Sequence, residues 1–133
     1  MDAVRILIAG AVASVLFLVL DAALGMLGGL VGTRLFGLPA SQPDPSKIRL
    51  GLVFEIINGL MLAAIYAVIQ PALVGGAWTK GILYGLIVWG PRVVMWAFST
   101  YMMTSMPPVQ IGINVVTGLV EMLIICSAIA AIY

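Results

Sequence analysis

The chain alternates long apolar runs with short polar stretches that are rich in proline and glycine. The apolar runs cover residues 5–33, 48–69, 78–103 and 111–133, approximately. About 20 apolar residues in a helix are enough to cross the hydrocarbon core of a bilayer. The stretches between the runs read GLPASQPDPSK, QPALVGG and TSMPPVQ, and such sequences break helices. The pattern predicts an all-α fold, an integral membrane bundle of four transmembrane helices with short loops, in one domain covering residues 1–133.

The composition points to the same environment. Of the 133 residues, 63% are hydrophobic and only 8% are charged, and the mean hydropathy is +1.22. Soluble globular domains are about one quarter charged, so the lipid bilayer is the expected surrounding of this chain. The first apolar run is longer than the roughly 7–15 residues of a signal-peptide core, and we expect it to remain in the mature protein. A net charge of +1 gives no sign of a nucleic-acid partner.

The positive charges give a small bias in orientation. Arg34, Lys47 and Arg49 flank the first connection, whereas Arg5 and Lys80 lie toward the other surface. The positive-inside rule therefore favours a cytoplasmic first connection. The stretch KGILYGLIVW resembles small four-helix membrane proteins of bacteria. This resemblance implies a bacterial inner membrane and carries no function.

Each apolar run contains one ionisable residue well inside it: Asp21, Glu55, Arg92 and Glu121. The helical rise places Asp21, Arg92 and Glu121 roughly 15–18 Å from one end of their runs, near the bilayer midplane. Glu55 lies about 8–10 Å from the end nearer the first connection. Ionisable residues inside a span usually face the bundle interior. We therefore predict a central cluster of Asp21, Arg92 and Glu121, with Glu55 one or two turns closer to the first connection.

Small residues accompany Asp21 on one helix face: Gly25, Gly28, Gly29 and Gly32. They form two overlapping small-xxx-small pairs, which allow a neighbouring helix to approach closely. This spacing predicts that Asp21 lies on a packing seam and points into the bundle.

Polar and aromatic side chains at helical spacing are the expected support of the cluster. The supporting residues that we predict are Asn58, Tyr66, Tyr84, Asn114 and Thr117. Next to Arg92, the pair Gly90–Pro91 interrupts the third run, because proline removes a helix hydrogen bond. We expect a kink there that can serve as a hinge.

The charges of the cluster do not balance. Arg92 stays charged and can hold one acid as a carboxylate, with bidentate geometry. The surplus acids would be uncompensated in a low dielectric, so we expect them to be protonated for much of the time. This pattern favours a proton- or cation-coupled transporter or channel, with Asp21, Glu55 and Glu121 as exchangeable sites and Arg92 as the counter-charge. Two alternatives stay open: an ion pair that only fixes helix register, and a non-catalytic accessory or assembly subunit of a larger membrane complex.

Other kinds of chemistry have little support. The chain has no His and a single Cys, Cys126, so we expect no metal site and no cofactor. No Ser-His or Cys-His pair or phosphate-binding glycine loop indicates an enzyme. Because a four-helix bundle of this size has little interior volume, we expect a homo-oligomer or a larger host complex.

Overall fold

The computed structural model describes residues 2–39 and 44–133 and has the predicted all-α fold. Residues 40–43 of the predicted first loop lie outside the described part. The helices are α1 (Ala3–Phe36), α2 (Ile48–Ile69), α3 (Ala77–Trp89), α4 (Met95–Met103) and α5 (Pro108–Ile132), with short 3₁₀ turns at Pro45–Lys47 and Gln70–Ala72. A π-helical turn, Gly90–Val94, joins α3 and α4 into one third span, Ala77–Met103. Four helices are thus long and apolar enough to cross a membrane, and the protein is a multi-pass membrane protein.

Local chemistry sets the ends of α1 and α5. Asp2 caps the start of α1, where its side chain accepts the N–H of Val4 at 3.1 Å. Gly37 ends α1 because its φ of 64° lies in the left-handed region, which glycine adopts without strain. The last helix begins at Pro108, three residues before the predicted start, since proline suits the first turn of a helix.

A cap also precedes α2, at the 3₁₀ turn Pro45–Lys47. The Asp44 carboxylate accepts the Ser46 hydroxyl at 2.7 Å and the Ser46 N–H at 3.0 Å. These hydrogen bonds to the charged form lower the pKa of Asp44 below its ordinary value.

Helix α1 packs between α2 and α5, and α5 packs on α3. The crossing of α1 and α2 is so close that a Cβ on Gly59 would lie 2.8 Å from the carbonyl oxygen of Gly10. The crossing of α3 and α5 is equally tight, since a Cβ on Gly81 would lie 2.6 Å from Ser127 Cα. Glycine is therefore required at both crossings.

Burial divides the bundle into two halves along its axis. The terminal half contains the N-terminal end of α1, the C-terminal end of α5 and the turn between α2 and α3. The loop half contains the α1–α2 and α4–α5 connections. The core lies in the terminal half, and its largest fully buried side chains are Phe17, Tyr84, Met122, Ile125, Ile129 and Cys126.

The loop half is only partly packed. Helix α2, which the structure describes in full, buries no residue before Asn58, and α4, also described in full, buries only Ala97. Helices α1 and α5 stay together there, because Gly28 and Gly32 of α1 are buried at their contact. The bundle is thus closed toward one surface and open toward the other.

Candidate functional site

Three carboxyl groups from three helices meet where the closed half gives way to the open half. Glu55 on α2 and Glu121 on α5 both lie close enough to the Asp21 carboxyl on α1 to interact with its charge. Both glutamates also lie close enough to Arg92 to interact with its charge. The structure therefore brings together all four ionisable residues that the sequence places inside the spans.

Glu55 differs in depth from the sequence prediction, because it lies beside Asp21 and not one or two turns away. The register of the α1–α2 crossing accounts for this difference. The Ser14 hydroxyl donates to the carbonyl of Ile56 at 3.2 Å, and Gly59 packs against Gly10, so Glu55 lies further toward the terminal half than a count from the ends of the runs gives.

Asp21 is more exposed than the seam prediction implies. Its residue is exposed, whereas Glu55 and Glu121 are half-buried. The reason is that only some of the glycines beside Asp21 on α1 pack against another part of the chain. A Cβ on Gly28 would meet Ile113 Cγ2 of α5 at 3.2 Å, but a Cβ on Gly25 would have no atom within 4 Å.

The other two glycines of this face also differ in their packing. Gly32 packs near Gln110, and Gly29, like Gly25, has nothing within 4 Å. The prediction of one packed glycine seam is therefore wrong for Gly25 and Gly29. Asp21 lies between the packed side and the open side.

Arg92 contacts an aromatic ring and not a carboxylate. Its guanidinium carbon lies 4.8 Å from the centroid of the Phe17 ring. Within residues 2–39 and 44–133, an ion pair within 4.0 Å occurs between Arg5 and Asp2 and does not involve Arg92. The predicted bidentate pair is absent, and a cation–π contact takes its place.

Arg92 lies within the π-helical turn. The N–H of Met95 bonds to the carbonyl of Gly90, five residues earlier, and Pro91 has no N–H to donate. A π turn adds one residue and rotates everything after it relative to a regular helix. The interruption predicted at Gly90–Pro91 is present as this turn, and its use as a hinge stays a prediction.

The segment before the turn is fixed to α5, and the segment after it is exposed. The Trp89 indole N–H donates to the carbonyl of Val115 at 3.1 Å. Beyond the turn, Trp96 and Ser99 are exposed. The π turn therefore joins an anchored segment to a loosely packed one at the depth of the acids.

Three buried polar atoms of the site have no hydrogen-bond partner in the described part of the chain: Glu55 Oε2, Asn58 Nδ2 and Glu121 Oε1. Asn58 is only 6% exposed, and its amide lies next to the Glu55 carboxyl. Buried polar atoms nearly always have partners, because leaving one unpaired costs about 1–3 kcal/mol. The site therefore has hydrogen-bonding capacity that the described residues do not use.

Two of the predicted supporting residues lie elsewhere. The Tyr84 hydroxyl donates to the carbonyl of Leu62 at 2.7 Å, and the Tyr66 ring centroid is 5.2 Å from that of Tyr84. Tyr66 follows Glu55 by eleven residues on α2, a rise of about 16 Å. Both tyrosines thus belong to the core of the terminal half, and their predicted place around the acids is wrong.

The polar residues of α5 bond within their own helix. Thr117 lies one turn from Glu121, and its hydroxyl donates to the carbonyl of Ile113 at 3.0 Å. Asn114 accepts a hydrogen bond from the Gln110 side chain at 3.2 Å. Of the five predicted supporting residues, Asn58 is the one whose contact with an acid the structure shows.

Sequence reasoning missed Phe17. Its ring is fully buried beneath Arg92, so it separates the acids from the closed half. The signal was available, because Phe17 precedes Asp21 by four residues and therefore shares its helix face.

In the described part of the chain, neither a metal-holding group nor the groove along α2 involves the acids. In the described ranges, no group of three or more His, Cys, Asp or Glu side chains is arranged to hold a metal ion. A groove of about 390 Å³ along α2, between Lys47 and Ile57, contains none of the four ionisable residues of the site.

No protein-family model, curated protein or solved structure matches this chain. A function therefore has to come from the chemistry of the site itself.

Proposed function

We propose that this protein is a small proton- or cation-coupled transporter or channel. One observation carries the proposal: each span contributes one ionisable residue to a cluster at the boundary between the two halves. These residues are Asp21, Glu55, Glu121 and Arg92. Ionisable residues are rare inside membrane spans and usually mark an ion or proton pathway.

The charge of the cluster provides an exchangeable proton. Neighbouring carboxylates in a low dielectric disfavour being ionised together, so the cluster favours holding one proton. Arg92 compensates one negative charge and leaves the remaining acids to gain or lose protons. Asp21 is the exposed acid of the cluster, so protons would enter and leave through it from the open half.

The opposite face of the cluster is sealed. Phe17 lies under Arg92, and the core of the terminal half follows directly. Passage across the membrane therefore requires the terminal half to open as well. The π turn stands at the depth where the third span would bend in such a change.

A proton fits this site better than a metal ion. The acids do not form a metal-holding group in the described residues, and Arg92 beside them repels a divalent cation. The mutual interaction of their carboxyl groups favours a proton held among them.

Reconstitution into liposomes tests the proposal. We expect pH-dependent flux, followed with a pH-sensitive dye inside the vesicles, that Asp21→Asn and Glu121→Gln each abolish. Asp44→Asn, a surface carboxylate outside the site, should leave the flux unchanged. Absence of flux in the wild type, or equal flux in all variants, would contradict the proposal.

A second candidate function is that of an accessory subunit. Its support is the unpacked side of α1 at Gly25 and Gly29, together with the exposed first half of α2. A larger membrane protein seated there would bury Asp21. Purification in a mild detergent distinguishes the two, because a subunit co-purifies with a stoichiometric partner, whereas a transporter does not need one.

A further inference from the structure

A second cavity, with a polar lining, lies at the surface of the terminal half, far from the acids. It has a volume of about 290 Å³ and opens between the ends of α1, α2, α3 and α5. Its lining includes the two cationic residues Arg5 and Lys80 and the side chain of Tyr66. Gln70 and Tyr133 also line it, and their oxygens accept hydrogen bonds from Lys80 and Arg5.

Both cations have donors to spare. The Lys80 ammonium donates to the carbonyl and side-chain oxygens of Gln70 at 3.2 and 3.5 Å, which leaves one of its three N–H groups. Arg5 donates Nη1 to a main-chain oxygen of Tyr133 at 3.0 Å and places Nε 3.4 Å from the Asp2 carboxylate. Its five N–H donors exceed these two contacts.

The start of α3 also faces this cavity. Gly75 and Ala77 line it, and Gly76, the N-cap residue, provides no side-chain cap. The first N–H groups of a helix have no partner within the helix and attract anions. Helix α3 has 13 residues, so its terminal dipole is well formed.

Tyr66 is the independent observation. Its residue is only 2% exposed, yet it lines the cavity, and its hydroxyl has no hydrogen-bond partner among the described residues. Contacts with Tyr84 and Tyr133, at ring-centroid distances of 5.2 and 5.8 Å, hold the ring in place. A buried phenol fixed in this way presents its O–H to a ligand in the cavity.

We propose that this cavity, named here the terminal anion site, binds a phosphate group through Lys80, Arg5, the Tyr66 hydroxyl and the first N–H groups of α3. A phosphate offers several strong acceptors to these donors. The group is supplied either by an anionic lipid headgroup of the adjacent leaflet or by free phosphate. This inference does not depend on the proposed transport function.

Two titrations of the detergent-purified full chain test the site. One uses phosphatidylglycerol, with retained lipid measured by native mass spectrometry, and the other uses inorganic phosphate, with the unfolding temperature as readout. Tyr66→Phe keeps the ring contacts and removes only the hydroxyl. We expect it to weaken binding several-fold, and Lys80→Gln to weaken it about tenfold, as the loss of a charge-assisted hydrogen bond predicts.

Matched controls separate a built site from general attraction to cations. Arg34→Gln removes a charge at the opposite surface, and Tyr101→Phe removes an exposed hydroxyl, so both should bind as the wild type does. Binding of phosphatidylglycerol alone assigns a lipid headgroup, and a response to inorganic phosphate assigns a free anion. Binding of neither, or equal weakening in Arg34→Gln and Lys80→Gln, would overturn the proposal. Circular dichroism of each variant is the control for correct folding.

Discussion

The guanidinium of Arg92 stacks on the ring of Phe17, 4.8 Å from its centroid, although three carboxyl groups lie nearby. This contact joins the π turn of the third span to α1 and leaves the acids free of a direct ion pair. In the proposed mechanism, Arg92 would turn from this ring toward a carboxylate when a proton leaves.

A double-mutant cycle tests the stacking of Arg92 on Phe17. Phe17→Leu keeps an apolar side chain but loses the ring face, and Arg92→Gln loses the cation. We expect a coupling free energy of about 0.5–2 kcal/mol between them, in the range of a desolvated cation–π contact. Unfolding of the four proteins in mixed micelles measures it, and strictly additive effects would count against the contact.

The glycines of α1 and α2 differ in how much space surrounds them. Gly59→Ala would push a methyl group against Gly10 at the α1–α2 crossing, and we expect it to lower the free energy of unfolding by about 1–3 kcal/mol. Gly25→Ala meets no atom within 4 Å and should be neutral or slightly stabilising. Equal effects of the two substitutions would show that the helices do not cross as described.

Tyr84 and Tyr101 provide a matched pair for the core. The Tyr84 hydroxyl is buried and bonded to Leu62, whereas Tyr101 is 62% exposed. Tyr84→Phe leaves a buried carbonyl without this partner and should cost about 1 kcal/mol, and Tyr101→Phe should cost almost nothing. Thermal unfolding of both variants provides the comparison.

The uneven packing of the two halves predicts an uneven pattern of labelling. In a Cys126→Ala background, Gly25→Cys should react with a membrane-impermeant maleimide, because this side of α1 is open. The native Cys126 is fully buried in the terminal half and should not react in the wild type. Val15→Cys, on an exposed apolar side of α1, controls for simple exposure to lipid. If Cys126 reacted and Gly25→Cys did not, the loop half would be the closed one, which would contradict the described packing.

The four spans were predictable from the sequence, because length and apolar character alone define a membrane-crossing helix. The meeting of the acids with Arg92 was predictable as well, since each lies alone in an otherwise apolar run. The exact level of Glu55 was not, because a count from the ends of the runs does not give the register in which α1 and α2 cross.

The π turn and the different packing of the α1 glycines could not be predicted from the sequence. Gly90–Pro91 indicates an interruption, but whether a proline bends a helix or widens one turn depends on the packing of α5 against Trp89. Gly25 and Gly28 have the same local sequence character and differ only in whether α5 reaches them.

The central claim is that Asp21, Glu55 and Glu121 hold an exchangeable proton between them, and infrared spectroscopy of the reconstituted protein tests it most directly. We predict a carboxylic C=O stretching band near neutral pH that shifts in deuterium oxide and disappears at alkaline pH. Glu121→Gln should remove or displace this band, and Asp44→Asn should leave it intact. A spectrum with only carboxylate bands at neutral pH, or a band that none of the three acid substitutions alters, would contradict the account.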